Sequence, residues 1–156
     1  LNSAHGVAGN NLTTTKEVAE VDSVAQLNPS KVFIMVGLND VNFGSKSAEA
    51  IAEDLITLAG AVKDSCPSAK VYILSLLPVT SGFEARDTNK ITQSAIDDVN
   101  DTVSVLAASA GYTYIDVASA YKNGAGYLNP DYSTNGMNLH HDYYAFLLNS
   151  IAEVAK

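Results

Sequence analysis

The chain has 156 residues with 47% apolar side chains, and nine Lys and Arg against seventeen Asp and Glu give a formal charge of −8. That length suits one domain, residues 1–156, burying a single core without disulfide or metal staples. The charge repels phosphate backbones and anionic lipid, so no nucleic acid partner is expected, and no apolar run approaches the roughly 18 residues of a membrane span.

The lone cysteine, Cys66, excludes an intramolecular disulfide and a cysteine-based metal site. Many Asn, Ser, Thr and Tyr with few basic residues suit a secreted or cell-surface bacterial protein. The N-terminal LNSAHGVAGNN lacks the basic-then-apolar pattern of a signal peptide, so none is expected within these residues.

Residues 1–12, rich in Gly and Asn, read as a loop. Thr14 caps a helix with Glu17 in the capping-box position, and Val18, Val21, Val24 and Leu27 follow at helical spacing until Asn28-Pro29. Lys31 to Gly37 then predicts a strand. Its five consecutive apolar residues, Val32 to Val36, mark it as buried on both faces, and it delivers the turn Gly37-Leu38-Asn39-Asp40 at its end.

Ser45 or Ser47 caps a second helix carrying Ile51, Leu55, Leu58 and Val62 on one face, and Cys66-Pro67 ends it. Lys70 to Val79 is a second apolar strand, and 80–90 a loop. A third helix from about Thr88 carries Ile91, Ala95, Val99, Val103 and Leu106, with Gly111 in the place of a C-terminal cap. Tyr112 to Val117 is a third strand, 121–140 a long loop of the length that is usually functional, and 141–155 a last helix with Tyr144, Leu147, Leu148 and Ile151 as its core face.

Strand alternating with helix predicts an α/β fold with a parallel sheet and right-handed crossovers. In such sheets the ligand crevice lies beyond the C-terminal strand ends, which places Gly37–Asp40, Pro78–Gly82 and Asp116–Tyr121 on one rim. Three strands make a small sheet, and a bare edge as apolar as Val32–Val36 invites aggregation. Further strands, missing from these residues, are therefore expected to complete it.

The Gly37-Leu38-Asn39-Asp40 turn after a buried strand resembles a block of the SGNH hydrolases, the GDSL-type esterases and lipases. The resemblance implies a three-layer α/β/α, flavodoxin-like fold, no cofactor, and Asn39 as an oxyanion-hole donor. In Gly6-Val7-Ala8-Gly9, Gly6 resembles the family's second, backbone donor, although Ala4 stands where that loop carries Asn. Thr134-Asn135-Gly136-Met137-Asn138 resembles the closing Asp-Gly-x-His block, with Asn135 in place of the orienting Asp and Asn138 in place of the base His.

An Asn amide cannot accept a proton near neutral pH, so Asn138 cannot serve as a general base. A shifted register, Asn138-Leu139-His140-His141, offers His141 instead. The family's nucleophilic Gly-Asp-Ser strand is expected upstream of Leu1. Two functions follow from the resemblance. One is a hydrolase of acyl or acetyl esters, small or carbohydrate-borne, whose N-terminal part has been lost, cleaved, or supplied by a separate N-terminal polypeptide segment; the other is a non-catalytic pseudo-hydrolase that binds carbohydrate or protein.

Plainer roles stand beside these. Asn39 and Asp40 also suit a simple turn, His140 and His141 suit exposed helix caps, and Tyr127, Tyr132, Tyr143 and Tyr144 suit packing under the loop as well as a sugar platform. Asp97, Asp98 and Asp101, with Glu49, Glu53 and Asp54, read as solvated helix faces.

Overall fold

The computed structural model describes residues 21, 23–43, 46–86 and 90–155. After the helical residues 23–26, the elements are β1 (Lys31–Ile34), α1 (Leu38–Phe43), α2 (Ala48–Ser65), β2 (Lys70–Leu74), α3 (Ser81–Glu84), α4 (Gln93–Ser109), β3 (Thr113–Ile115) and α5 (Asp142–Val154). Two 3-10 turns, Ser119–Tyr121 and Pro130–Tyr132, punctuate the long loop before α5. The predicted loop 1–12, the start of the first helix, Gly6 and Ser45 lie outside the described residues.

The helices begin where short polar side chains supply the missing acceptors. Ser47 Oγ accepts from Ala50 N at 3.1 Å, Thr80 Oγ1 from Phe83 N at 3.1 Å and Thr92 Oγ1 from Ala95 N at 3.1 Å. Gly111 stops α4 with φ +79°, a left-handed geometry that costs glycine least.

The strands run in the order β1-β2-β3 and all pair parallel, with Phe33 beside Tyr72 and Ile73 beside Tyr114. Alternation along β2 sends side chains to two cores. Val71 and Ile73 join Ile34 and the inner faces of α2 and α4. Tyr72 and Leu74 join Ile115, Val117 and the α5 residues Leu147 and Ile151. Helices on both faces of a parallel sheet give the three layers expected.

Each strand is shorter than its apolar run. β2 ends at Leu74, not Val79, and β1 at Ile34, not Gly37. Residues 75–80 are buried or half-buried; β3 reaches only Ser75, whose N–H donates to Ile115 O at 3.0 Å, and beyond it side chains and loops satisfy the backbone. β1 is also less buried than expected: Val32 and Phe33 are half-buried, and Val36 is 42% exposed. The face of α5 differs too, since Leu147 and Ile151 are buried while Tyr144 and Leu148 face outward.

Candidate functional site

The C-terminal strand ends form the rim on which the sequence places its site. Gly37, at φ +122°, turns the chain out of the sheet, and Leu38 starts α1 at once, so the expected turn is the first turn of a helix. Asn39, half-buried, is the second residue of that helix. Asp40 is 3% exposed and its carboxylate lies 3.8 Å from Lys46 Nζ, which also binds Asp54. A buried carboxylate requires such a partner, so Asp40 helps hold the end of β1 to α2.

Beyond β2 the backbone is held by amides from α4. Asn100, 8% exposed, accepts from Leu76 N at 2.7 Å and donates to Leu76 O at 3.0 Å. Gln93 Oε1 accepts from Val79 N at 2.9 Å, and Gln93 N donates to Glu84 Oε2 at 3.1 Å. Both side chains replace ladder hydrogen bonds that a buried chain cannot leave unmade.

The closing block docks on this segment. Thr80 N donates to Gly136 O at 2.8 Å, and Arg86 Nη2, stacked over Phe83 at 5.0 Å, donates to Asn135 O at 3.0 Å. Gly136 has φ +93°, and a Cβ there would lie 2.6 Å from Thr80 Oγ1 and 2.8 Å from Phe83 Cβ. Glycine is therefore required both by conformation and by space.

Within the block, Asn135 Oδ1 accepts from Met137 N at 3.0 Å and Asn138 N at 2.8 Å. Asn138 O accepts from Thr134 N at 3.0 Å and from Ser133 Oγ at 2.8 Å. Asn135 and Asn138 are thus brought together in one tight loop, in which Asn135 acts as an Asx turn. Asn138 is exposed. His141 points away into solvent, its side chain 91% exposed and 2.7 Å from the carboxylate of its neighbour Asp142.

The tyrosines of the long loop pack on one another. Tyr121, fully buried, meets Tyr132 edge-on at 6.2 Å and donates from its hydroxyl to Tyr143 O at 2.9 Å, while Tyr132 and Tyr143 lie 4.3 Å apart. Burial pushes the Tyr121 hydroxyl pKa up to about 12. Tyr132 and Tyr143 thus pack under the loop.

At the end of β3, Ser75 Oγ accepts from Val117 N at 2.9 Å and Ala118 N at 2.8 Å and reaches Asp116 Oδ1 at 3.4 Å. Desolvation pushes the Asp116 carboxyl up, but hydrogen bonds from the Ser119 hydroxyl and backbone, from Ala118 and from Ser75 outweigh it and hold it below its ordinary value. Burial, and then the nearby Asp116 charge, drive Tyr114 well above the ordinary tyrosine range.

A cavity of about 570 Å³ opens here, lined by Asp97, Asp101, Tyr114, Asp116, Ser119 and Lys122 among others. It sits on the β3 side, away from Asn39. Asp97, its side chain still 40% exposed on its helix face, is also paired: it lies 2.6 Å from Lys122 Nζ and accepts from Gln93 Nε2 at 2.9 Å. Among the described residues no group of three or more His, Cys, Asp or Glu could hold a metal ion, and no helix is long and apolar enough to cross a membrane.

The sequence places Asn39 on the rim, and the structure puts it in the first turn of the helix that follows β1, the strand paired through Ile34 with Ile73 of β2. The sequence does not single out Ser75, Gln93 or Asn100. A detectable signal existed for Ser75, the one polar residue inside the run Val71–Val79, and for Asn100, which stands beside Val99 between Ile96 and Val103 on a buried helix face.

The chain is similar to known proteins along most of its length. It is 29% identical over 126 residues to N-acylneuraminate cytidylyltransferase of Escherichia coli, covering 80% of this chain but only 28% of that protein. A GDSL-like lipase of Bacteroides thetaiotaomicron superimposes with a TM-score of 0.72 at 22% identity, over 88% of this chain and 67% of that one. A carbohydrate esterase family 3 protein of Talaromyces cellulolyticus gives 0.62 at 19% identity, over 86% and 61%. The two superpositions establish the shared fold. The profile of the GDSL-like lipase/acylhydrolase family matches residues 1–142, and the chain therefore belongs to that family.

Proposed function

We propose that the chain is part of a hydrolase of acyl or acetyl esters, its substrates including esters carried on carbohydrate, and that a strand added outside β1 brings the nucleophile. The observation that carries this reading is the outer edge of β1, which is unpaired among the described residues and lined by apolar side chains. Family membership supports ester hydrolysis, and the likeness to a carbohydrate esterase supports the substrate class.

In this reading a serine on the added strand attacks the ester carbonyl, forming an acyl-enzyme and releasing the alcohol; water then releases the acid. Asn39 and the Gly6 backbone N–H stabilise the oxyanion. In this reading the domain acts outside the cell, as its composition, rich in Asn, Ser, Thr and Tyr with few basic residues, suggests. Expressing the natural reading frame upstream of Leu1 and assaying acetate release from an activated ester and from acetylated xylo-oligosaccharide tests this. Turnover abolished by replacing the upstream serine supports the reading, and no upstream strand in that frame overturns it.

A second reading, a non-catalytic carbohydrate- or protein-binding relative, is favoured by Asn138 at the base position and by the outward His141. The two readings separate in the upstream-extended protein. Gain of turnover only on Asn135→Asp with Asn138→His supports the second; a wild type that is already active refutes it. Loss of a triad base costs several powers of ten in rate, so the difference is easily read.

A further inference from the structure

Two Asn-Gly pairs occur in the chain, Asn123-Gly124 and Asn135-Gly136. Such a pair can modify itself because no Cβ hinders the glycine nitrogen. The glycine N–H loses its proton to solvent base, the nitrogen bonds to the Asn side-chain carbonyl carbon, and Nδ2 leaves as ammonia. The resulting cyclic imide takes up one water and opens to aspartate or, through the other carbonyl, to isoaspartate. The reaction is helped by donors on the carbonyl oxygen, which stabilise the developing oxyanion. It is hindered when the N–H is held in a stable hydrogen bond.

Both sites are exposed, and both provide the oxyanion donors. Asn123 Oδ1 accepts from Ala125 N at 2.9 Å and Tyr127 N at 3.2 Å, as Asn135 Oδ1 accepts from Met137 N and Asn138 N. They differ at the nucleophile. Gly136 N donates to Ser133 Oγ at 2.8 Å, and its residue is wedged against Thr80 and Phe83. Gly124 N has no acceptor among the described residues, and a Cβ at Gly124 would meet nothing within 4 Å.

We propose that Asn123 is a self-modification site, converting to aspartate and isoaspartate, while Asn135 is kept as the amide by the Ser133 and Gly136 lock. The product adds a negative charge next to Lys122, which pairs with Asp97 at the cavity of about 570 Å³. Isoaspartate also lengthens the backbone of the turn that returns from Tyr127 O to Asn123 N at 2.7 Å. The protected Asn135 means that the closing block is not converted by chemical ageing into its acidic form. Neither half depends on whether the domain hydrolyses an ester.

The test is to incubate the folded protein at mildly alkaline pH, digest it, and follow aspartate and isoaspartate at both positions by mass spectrometry and isoaspartyl methylation. Position 123 is expected to convert at least about tenfold faster than 135, a barrier difference of about 1.4 kcal/mol. In urea the two rates should converge. Equal rates in the folded protein, or a faster rate at 135, overturn the proposal, as does a ratio unchanged by unfolding. Ser133→Ala frees Gly136 N, so it should speed position 135 while leaving 123, measured in the same molecules, unchanged. An unmoved rate at 135 refutes the lock.

Discussion

β1 and β3 both border the sheet, and they border it with different chemistry. Along β1 and its exit lie Val32, Phe33 and Met35, half-buried, and Val36, 42% exposed; its one charged residue, Lys31, is tied to Ala155 O. Around β3 gather Asp97, Asp101, Tyr114, Asp116 and Lys122. Charged side chains on an edge are how proteins stop a sheet from recruiting further strands. The charges that α4 and the loop beyond β3 supply give that side the character of a natural margin, whereas β1 is unpaired on its outer side among the described residues. The proposed nucleophile strand fits on that side.

Mutations at the centre and at the open edge give the most sensitive comparison. Ile73→Ala removes a fully buried side chain from the middle strand and is expected to cost about 4 kcal/mol in urea unfolding. Phe33→Ala, at a half-buried ring stacked 4.9 Å from Tyr72, should cost about 2 kcal/mol, because part of its surface already meets water. Equal costs would mean that β1 is covered in solution.

On the guarded side, the rim depends on an amide clamp rather than on packing. Asn100→Ala leaves both Leu76 N and Leu76 O without their partner in a buried segment, which is expected to cost about 3 kcal/mol. Asn100→Asp restores only the acceptor and should recover part of that loss. A loss below about 1 kcal/mol for the alanine variant would show that water replaces the clamp.

The helices were legible because their burial follows a strong period. Ile51, Leu55 and Val62 on α2 and Val99 and Val103 on α4 are buried as their spacing implies, and Ser47 caps as its type implies. α5 was misread, since Tyr143, Tyr144, Phe146, Leu147, Leu148 and Ile151 are apolar nearly all round. Only tertiary contacts with Ile115 and Tyr121 decide that Leu147 faces inward. Strand ends were overextended for a related reason: apolar content reports burial, whereas a strand also needs a paired backbone, and Leu76 and Val79 are paired by Asn100 and Gln93. The rim position of Asn39 was readable because it closely follows a strand marked by the apolar run Val32–Val36, in a parallel sheet. The outward His141 was not, because no period fixes the direction of a cap.

Edge chemistry should also set self-association. Val36→Lys puts a charge at the end of the open edge and is expected to change stability by less than about 0.5 kcal/mol, since the site is exposed. It should lower association in sedimentation at high protein concentration. Asp101→Val, removing a guard at the other edge, should raise it. If neither substitution moves the association constant, the two edges do not differ in their tendency to recruit further strands.

The smallest effect belongs to Asp116, which is largely solvent-exposed and whose interactions are screened. Folding lowers its pKa below the ordinary 3.8, so folding favours the carboxylate. Its contribution is complete well above pH 3.8 and fades as pH falls through the depressed folded value. The stability gap between wild type and Asp116→Asn should thus be flat near neutrality and close in strong acid. Ser119→Ala removes the hydroxyl that donates to the carboxylate, and NMR titration should show the Asp116 pKa moving back up. An unmoved titration in Ser119→Ala and in a Ser75→Ala, Ser119→Ala double variant would assign the depression to the backbone donors at Ser119 and Ala118. Those donors exist because the chain turns into its 3-10 helix directly beyond β3, so the guarded edge would then owe its charge to backbone geometry rather than to a neighbouring side chain.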